Sequence, residues 1–191
     1  MANICVYCSS STQIDDRFAP VAQSLGDGLA ARDHALIYGG GTSGLMGVVA
    51  RAMRNGGSSI VGVIPDKLKS IEGVARHTAD ELIVTETMSE RKRIMYLRAD
   101  AFVVLPGGFG TLEEFMEVLT LRQLAYHERP VVIVNHDGFY DPLLGFFEQL
   151  YAQNFSRTPH GDLVFVADTP ESALHHLDAT LHPSNNAQPH E

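Results

Sequence analysis

Seven apolar runs punctuate the chain, and longer segments of helical character separate most of them. The runs are ICVYC (4–8), ALIYGG (35–40), SIVGVIP (59–65), ELIVTE (81–86), AFVVLPGG (101–108), PVVIVN (130–135) and LVFVAD (163–168). Helices are predicted over about 16–32, 44–55, 89–99, 111–126, 141–153 and 170–181, whereas SIVGVIP leads into a loop carrying Lys67, Lys69 and Gly73. Strands alternating with helices build a parallel sheet. Runs that are apolar throughout and rich in Val and Ile suit strands covered on both faces. The expected fold is therefore α/β, a Rossmann-like doubly wound parallel sheet of about seven strands with helices on both faces. Residues 1–181 read as one domain, and the polar tail 182–191, HPSNNAQPHE, is expected to be disordered. In such sheets ligands bind beyond the carboxyl ends of the strands, near the point where strand order reverses.

Charge narrows the partners. The 191 residues carry a formal net charge of −9. No basic cluster is large enough for a nucleic-acid backbone, so no nucleic acid is expected. A phosphorylated small molecule is still compatible, because a pocket can be positive within an acidic whole. No segment approaches the ~18 apolar residues of a membrane span. The start, MANICVYCSSS, lacks the basic region of a signal peptide. The expectation is a cytoplasmic protein with reduced thiols and no membrane partner. Cys5 and Cys8 lie within a strand, where their side chains point to opposite faces. They read as packing residues, and no metal site is expected from so few ligands.

Two glycine-rich turns follow strands. IYGGGTSGLMG (37–47) contains G-x-G-x-x-G at Gly39, Gly41 and Gly44. It sits in the second βα unit, and Lys67 and Lys69 crowd the one acid, Asp66, that could meet a ribose. A dinucleotide site is disfavoured on both counts. Thr42, Ser43 and the following amides could cradle a phosphate, or the glycines could simply permit a tight turn. The second turn, PGGFGT (106–111), lacks the lysine of a P-loop. Its amides could hold an anion at a helix start. Alternatively, Thr111 and Glu114 could form a capping box. A third segment, TMSERKRIMYLRAD (87–100), places Arg91, Lys92 and Arg93 near a helix start capped by Ser89. Cations there oppose the helix dipole, which suggests an anionic ligand to neutralise. Only one or two of the three can face a cleft.

Taken together, GGGTSGLMG, MSERK and PGGFGTLEE, after an initial VYCSSS, resemble the LONELY GUY (LOG) family of cytokinin-activating phosphoribohydrolases. The resemblance runs from about residue 4 to 155. It implies a nucleotide-binding domain that hydrolyses the N-glycosidic bond of an adenosine 5′-monophosphate, with or without an N6 substituent. The products would be the free base and ribose 5-phosphate. It implies no cofactor and no metal, an AMP-like substrate, and a homodimer or higher homo-oligomer with the helix after PGGFGT near the interface. Carried onto this sequence, the catalytic pair is Arg91 and Glu114. Gly40, Gly41, Ser43, Gly44, Met88, Lys92, Gly107, Gly108, Phe109, Gly110 and Thr111 would bind substrate.

Cleavage of such a bond leaves positive charge on the sugar, which calls for a nearby carboxylate. The loop amides would hold the 5′-phosphate while Glu114 faces the sugar and Glu113 makes a structural contact. Arg91 would bind substrate and keep Glu114 ionised. Asp66, Tyr126 and His127 are candidates for protonating the base. Leu121-Arg122 stands where the family has Trp-Ala, which leaves plain AMP beside the prenylated nucleotide as a substrate. A cofactor carrier of the same fold without hydrolase activity is the competing reading, and a dehydrogenase a further one.

Overall fold

The computed structural model describes residues 1–74 and 78–181; the expectation for the tail 182–191 lies outside the described residues. Seven strands form one sheet: β1 (Asn3–Tyr7), β2 (Ala35–Tyr38), β3 (Ile60–Pro65), β4 (Glu81–Thr85), β5 (Ala101–Val104), β6 (Val131–Val134) and β7 (Phe165–Ala167). Their order is β4-β3-β2-β1-β5-β6-β7, and every neighbouring pair is parallel. Strand order reverses between β1 and β5, so ligands are expected beyond those two carboxyl ends.

Helices cover both faces, which is why the strand runs are apolar without alternation. On one face α1 (Phe18–Ala30), α2 (Gly44–Asn55) and α8 (Pro170–Leu181) pack through Leu25, Val49, Met53 and Leu177 onto Ile4, Val6, Leu36 and Val103. On the other, α4 (Met88–Arg98), α5 (Phe109–Gln123) and α6 (Asp141–Ala152) pack through Met95, Phe115, Val118 and Phe147 onto Cys5, Tyr7, Phe102 and Val104. Cys5 and Cys8 fall in the two opposite cores and are free thiols. Burial pushes both well above the ordinary thiol range, so they pack as inert apolar residues.

The short helices α3 (Lys69–Glu72) and α7 (His160–Leu163) occupy what the sequence suggested was loop and strand start. The last strand is consequently three residues long, not six. α5 ends where Ala125 adopts φ 58°, with Tyr126 N–H donating to Leu121 C=O and Ala125 N–H to Arg122 C=O. That pair of bonds is a Schellman end.

Candidate active site

A cavity of about 300 Å³ opens at the carboxyl end of β1, at the point of strand reversal. Its walls come from Cys8 to Ser11 after β1, Met46 of α2, Leu68 and Glu72 after β3, Met88 and Arg91 of α4, and the α5 start with Gly108, Phe109, Gly110, Thr111 and Glu114. β2 and β5, which carry the two glycine turns, are not neighbours; they flank β1. The segment after β1 joins them through Ser9, whose N–H donates to Pro106 C=O at 3.3 Å. Its carbonyl accepts from Leu45 N–H at 2.9 Å and Met46 N–H at 3.3 Å.

Those bonds correct the phosphate-cradle reading of the first turn. The Leu45 and Met46 amides in the first turn of α2 are taken by Ser9, and Thr42 N–H, Thr42 Oγ1 and Ser43 Oγ all donate to Glu72 C=O. The turn is instead a close-packing device. Gly44 has φ +55° and lies so near Ser9–Ser11 that a Cβ would come within 2.6 Å of their backbone. Gly40 has φ +73° against β3, and a Cβ on Gly41 would press on Met46 at 2.8 Å. A Cβ on Gly39 would overlap Arg91 Nη2. Gly40, Gly41, Ser43 and Gly44 therefore shape the cavity from behind rather than line it.

The second turn is open to a ligand. α5 begins two residues earlier than the sequence suggested, with Gly108 as N-cap and, among the described residues, no side chain capping it. Thr111 sits at the third helical position and is buried, so the Thr111–Glu114 capping box does not form. The uncapped amide end projects partial positive charge into the cavity. Gly107 lies behind it, where a Cβ would overlap Thr111 Oγ1.

On α4 the cap is Thr87, not Ser89; its side chain accepts from Glu90 N–H at 3.1 Å. The three consecutive cations then diverge. Arg91 is buried at the cavity floor, Lys92 turns to α5, and Arg93 is exposed. Lys92 does not line the cavity. It pairs with Glu113 and, at 3.0 Å, with Glu117. Glu113 thus makes the structural contact expected of it.

Arg91 Nη2 lies 3.9 Å from Glu114 Oε1, with side chains 7% and 8% exposed. Neither Arg91 Nε nor Glu114 Oε1 has a hydrogen-bond partner among the described residues. Burial raises the Glu114 carboxyl to about 7, against the lowering effect of Arg91; Glu113 and Glu72 push it further up. Arg91 therefore does not hold Glu114 fully ionised at neutral pH, because desolvation outweighs the ion pair. A carboxyl poised near 7 is suited to general-base work.

The candidates for protonating a base are elsewhere. Asp66 pairs with Lys69 at 2.7 Å, Tyr126 is exposed, and His127 Nε2 lies 2.9 Å from Val118 C=O. None lines the cavity. Arg122 donates to the carbonyls of Glu128 and Arg129 and borders a separate cavity of about 660 Å³ beside Val131 and Phe165, where β6 and β7 begin. Sequence reasoning missed Ser9–Ser11, Leu68 and Glu72; their one signal was position just after a strand.

The model of a family described as possible lysine decarboxylase matches residues 46–177. A protein of Oryza sativa subsp. japonica named probable cytokinin riboside 5′-monophosphate phosphoribohydrolase is 45% identical over 175 residues, 92% of this chain and 77% of that protein. A cytokinin riboside 5′-monophosphate phosphoribohydrolase of Arabidopsis thaliana is 39% identical, over 92% of this chain and 81% of its own. Among solved structures, a molybdenum cofactor carrier protein from Chlamydomonas reinhardtii superimposes with a TM-score of 0.73 at 23% identity, covering 94% of this chain and 98% of that one. At that identity it establishes the shared fold alone. Matched over most of its length by both the family model and these relatives, the chain belongs to the LOG family of cytokinin riboside 5′-monophosphate phosphoribohydrolases.

Proposed function

We propose that this protein is an N-glycosidase that hydrolyses adenosine 5′-monophosphates, plain or N6-substituted, to the free base and ribose 5-phosphate. The observation that carries this reading is the buried Arg91–Glu114 pair at the floor of a cavity entered by the uncapped start of α5. The amides of Gly108, Phe109, Gly110 and Thr111 suit a 5′-phosphate. Glu114, in its ionised form, suits the positive charge that develops on C1′ and O4′ as the bond to the base breaks. Water is the nucleophile and Glu114 accepts its proton, while the departing base takes up one proton at nitrogen from solvent, so that the net reaction adds one water across the bond. Arg91 binds substrate and favours the ionised form of Glu114 when the ligand closes the site. Met88, whose sulfur lies 3.9 Å from Arg91 Nη1, and Met46 offer apolar contact to the base.

Amino-acid decarboxylation, suggested by the description of the family model, fits poorly. Pyridoxal chemistry needs a lysine at the reacting centre, and none lines this cavity. A homodimer or larger assembly fits the exposed apolar side chains of Phe109, Met116 and Leu124 on and just after α5. The free thiols suit the cytoplasm.

The test is to incubate the protein with AMP and with isopentenyladenosine 5′-monophosphate and separate the products. Free base from either, absent with Glu114→Gln, supports the reading and ranks the substrates. AMP binding without base release would favour a carrier.

A further inference from the structure

The loop after β3 reaches the cavity because the first glycine turn pins it there. Glu72 C=O accepts from Thr42 N–H at 2.9 Å, Ser43 Oγ at 3.2 Å and Thr42 Oγ1 at 3.4 Å. Gly73 follows at φ +74°, so close that a Cβ would overlap Thr42 Oγ1, and Gly41 lies against Glu72 Cβ. The backbone of Glu72 is thereby fixed by a turn on a different strand, and its side chain lines the cavity. Its Oε2 is shut off from solvent and has no hydrogen-bond partner among the described residues.

A carboxylate oxygen cut off from water and from protein donors is costly unless something supplies a donor. The phosphate of a nucleotide is a poor partner, since it is anionic, repels a carboxylate and presents mainly acceptor oxygens. Two groups can supply one: the vicinal diol of the ribose and the exocyclic amine of the base. Position decides between them. Glu72 and Glu114 line the same cavity, and Glu114 faces the sugar in the reading given above, on which this inference rests. A vicinal diol offers two O–H donors, and a carboxylate offers two acceptor oxygens at matching separation.

We propose that Glu72 accepts hydrogen bonds from the 2′,3′-diol of the ribose and makes the site selective for ribonucleotides. The GGGTS turn is then an anchor for this specificity residue. Glu72 and Glu114 approach the sugar from different walls, one reading its hydroxyls and the other serving the bond that breaks.

The test compares AMP with 2′,3′-dideoxyadenosine 5′-monophosphate in wild type and Glu72→Gln, following base release and, by calorimetry, binding. Dideoxy sugars break their glycosidic bonds more easily in any enzyme, so the informative quantity is the change in the ratio between the two proteins. Glu72→Gln is expected to lower kcat/KM and affinity for AMP roughly tenfold to a hundredfold, with the dideoxy nucleotide little affected. Inhibition by ribose 5-phosphate, which has the diol and no base, should weaken in parallel. An unchanged AMP-to-dideoxy ratio overturns the proposal. So does unchanged ribose 5-phosphate inhibition beside weakened AMP binding, which would place Glu72 at the base. A matched melting temperature guards against misfolding. If wild type releases no base from AMP, the hydrolase reading fails, while the binding ratios still decide the role of Glu72.

Discussion

Arg91 and Glu114 face each other across 3.9 Å in a site that hides both from water, yet neither is fully hydrogen-bonded by the protein. A buried pair held just short of contact leaves room for a third group. Its other consequence is a carboxyl that burial keeps near 7 despite the adjacent guanidinium.

Glu114→Gln keeps the volume and removes the charge. Turnover is expected to fall by roughly 10²- to 10³-fold, the scale of losing one group matched to transition-state charge. Stability should move the other way. The folded-state pKa of Glu114 is raised, so its favourable contribution is full below the unfolded value and is lost as pH rises through about 7. The Gln variant should therefore melt higher than wild type at pH 8 and converge with it near pH 4. A lower melting temperature at pH 8 would contradict the burial argument.

The pH profile of kcat/KM should show an acid limb with its midpoint near 7, activity rising as Glu114 ionises. Arg91→Met removes the chief group lowering that pKa. Its limb should move to higher pH, and its maximal rate should drop as well. A limb that stays in place would mean another group titrates.

Gly39→Ala tests the close approach behind the site. The added methyl would overlap Arg91 Nη2 and come within 2.9 Å of Met46 Sδ. The chain should still fold, since the far end of an arginine can move, but Arg91 would leave its place opposite Glu114. Turnover should fall by about tenfold or more. Wild-type activity would show that the guanidinium position is not critical.

Lys92→Met separates two roles. The family resemblance would put this lysine on the substrate, whereas here it ties α4 to Glu113 and Glu117 of α5. AMP affinity is expected to change by less than about threefold, with stability lowered by about 1 kcal/mol, read from denaturant melts and calorimetry. A large loss of affinity with unchanged stability would return Lys92 to the substrate.

Much of this architecture was legible because continuous apolar runs admit few folds, and the glycine turns marked which strand ends mattered. What failed was local pattern matching at those turns. Thr111 and Glu114 have capping-box spacing, but the N-cap is Gly108, three residues before Thr111, and Glu114 turns into the core. Ser43 and Thr42 have the chemistry of a phosphate cradle, but their donors meet Glu72, thirty residues away. Whether a donor is free depends on remote partners, and no motif records those. For the same reason Glu72, a lone acid in what read as a loop and is the end of α3, gave no signal beyond its place after a strand.

The reversal of strand order has a last consequence. The cavity walls come from segments on both sides of it, with Glu72 borne by the β4-β3-β2-β1 half and α5 leading from β5 into the other. A molecule held between them adds a cross-brace to two half-sheets already joined by the β1–β5 ladder and by the packing of α1 against α8. Either half opening alone would break its grip. Occupancy should therefore slow amide exchange in β3 and β6 together, and make the protein fail as one body when it fails.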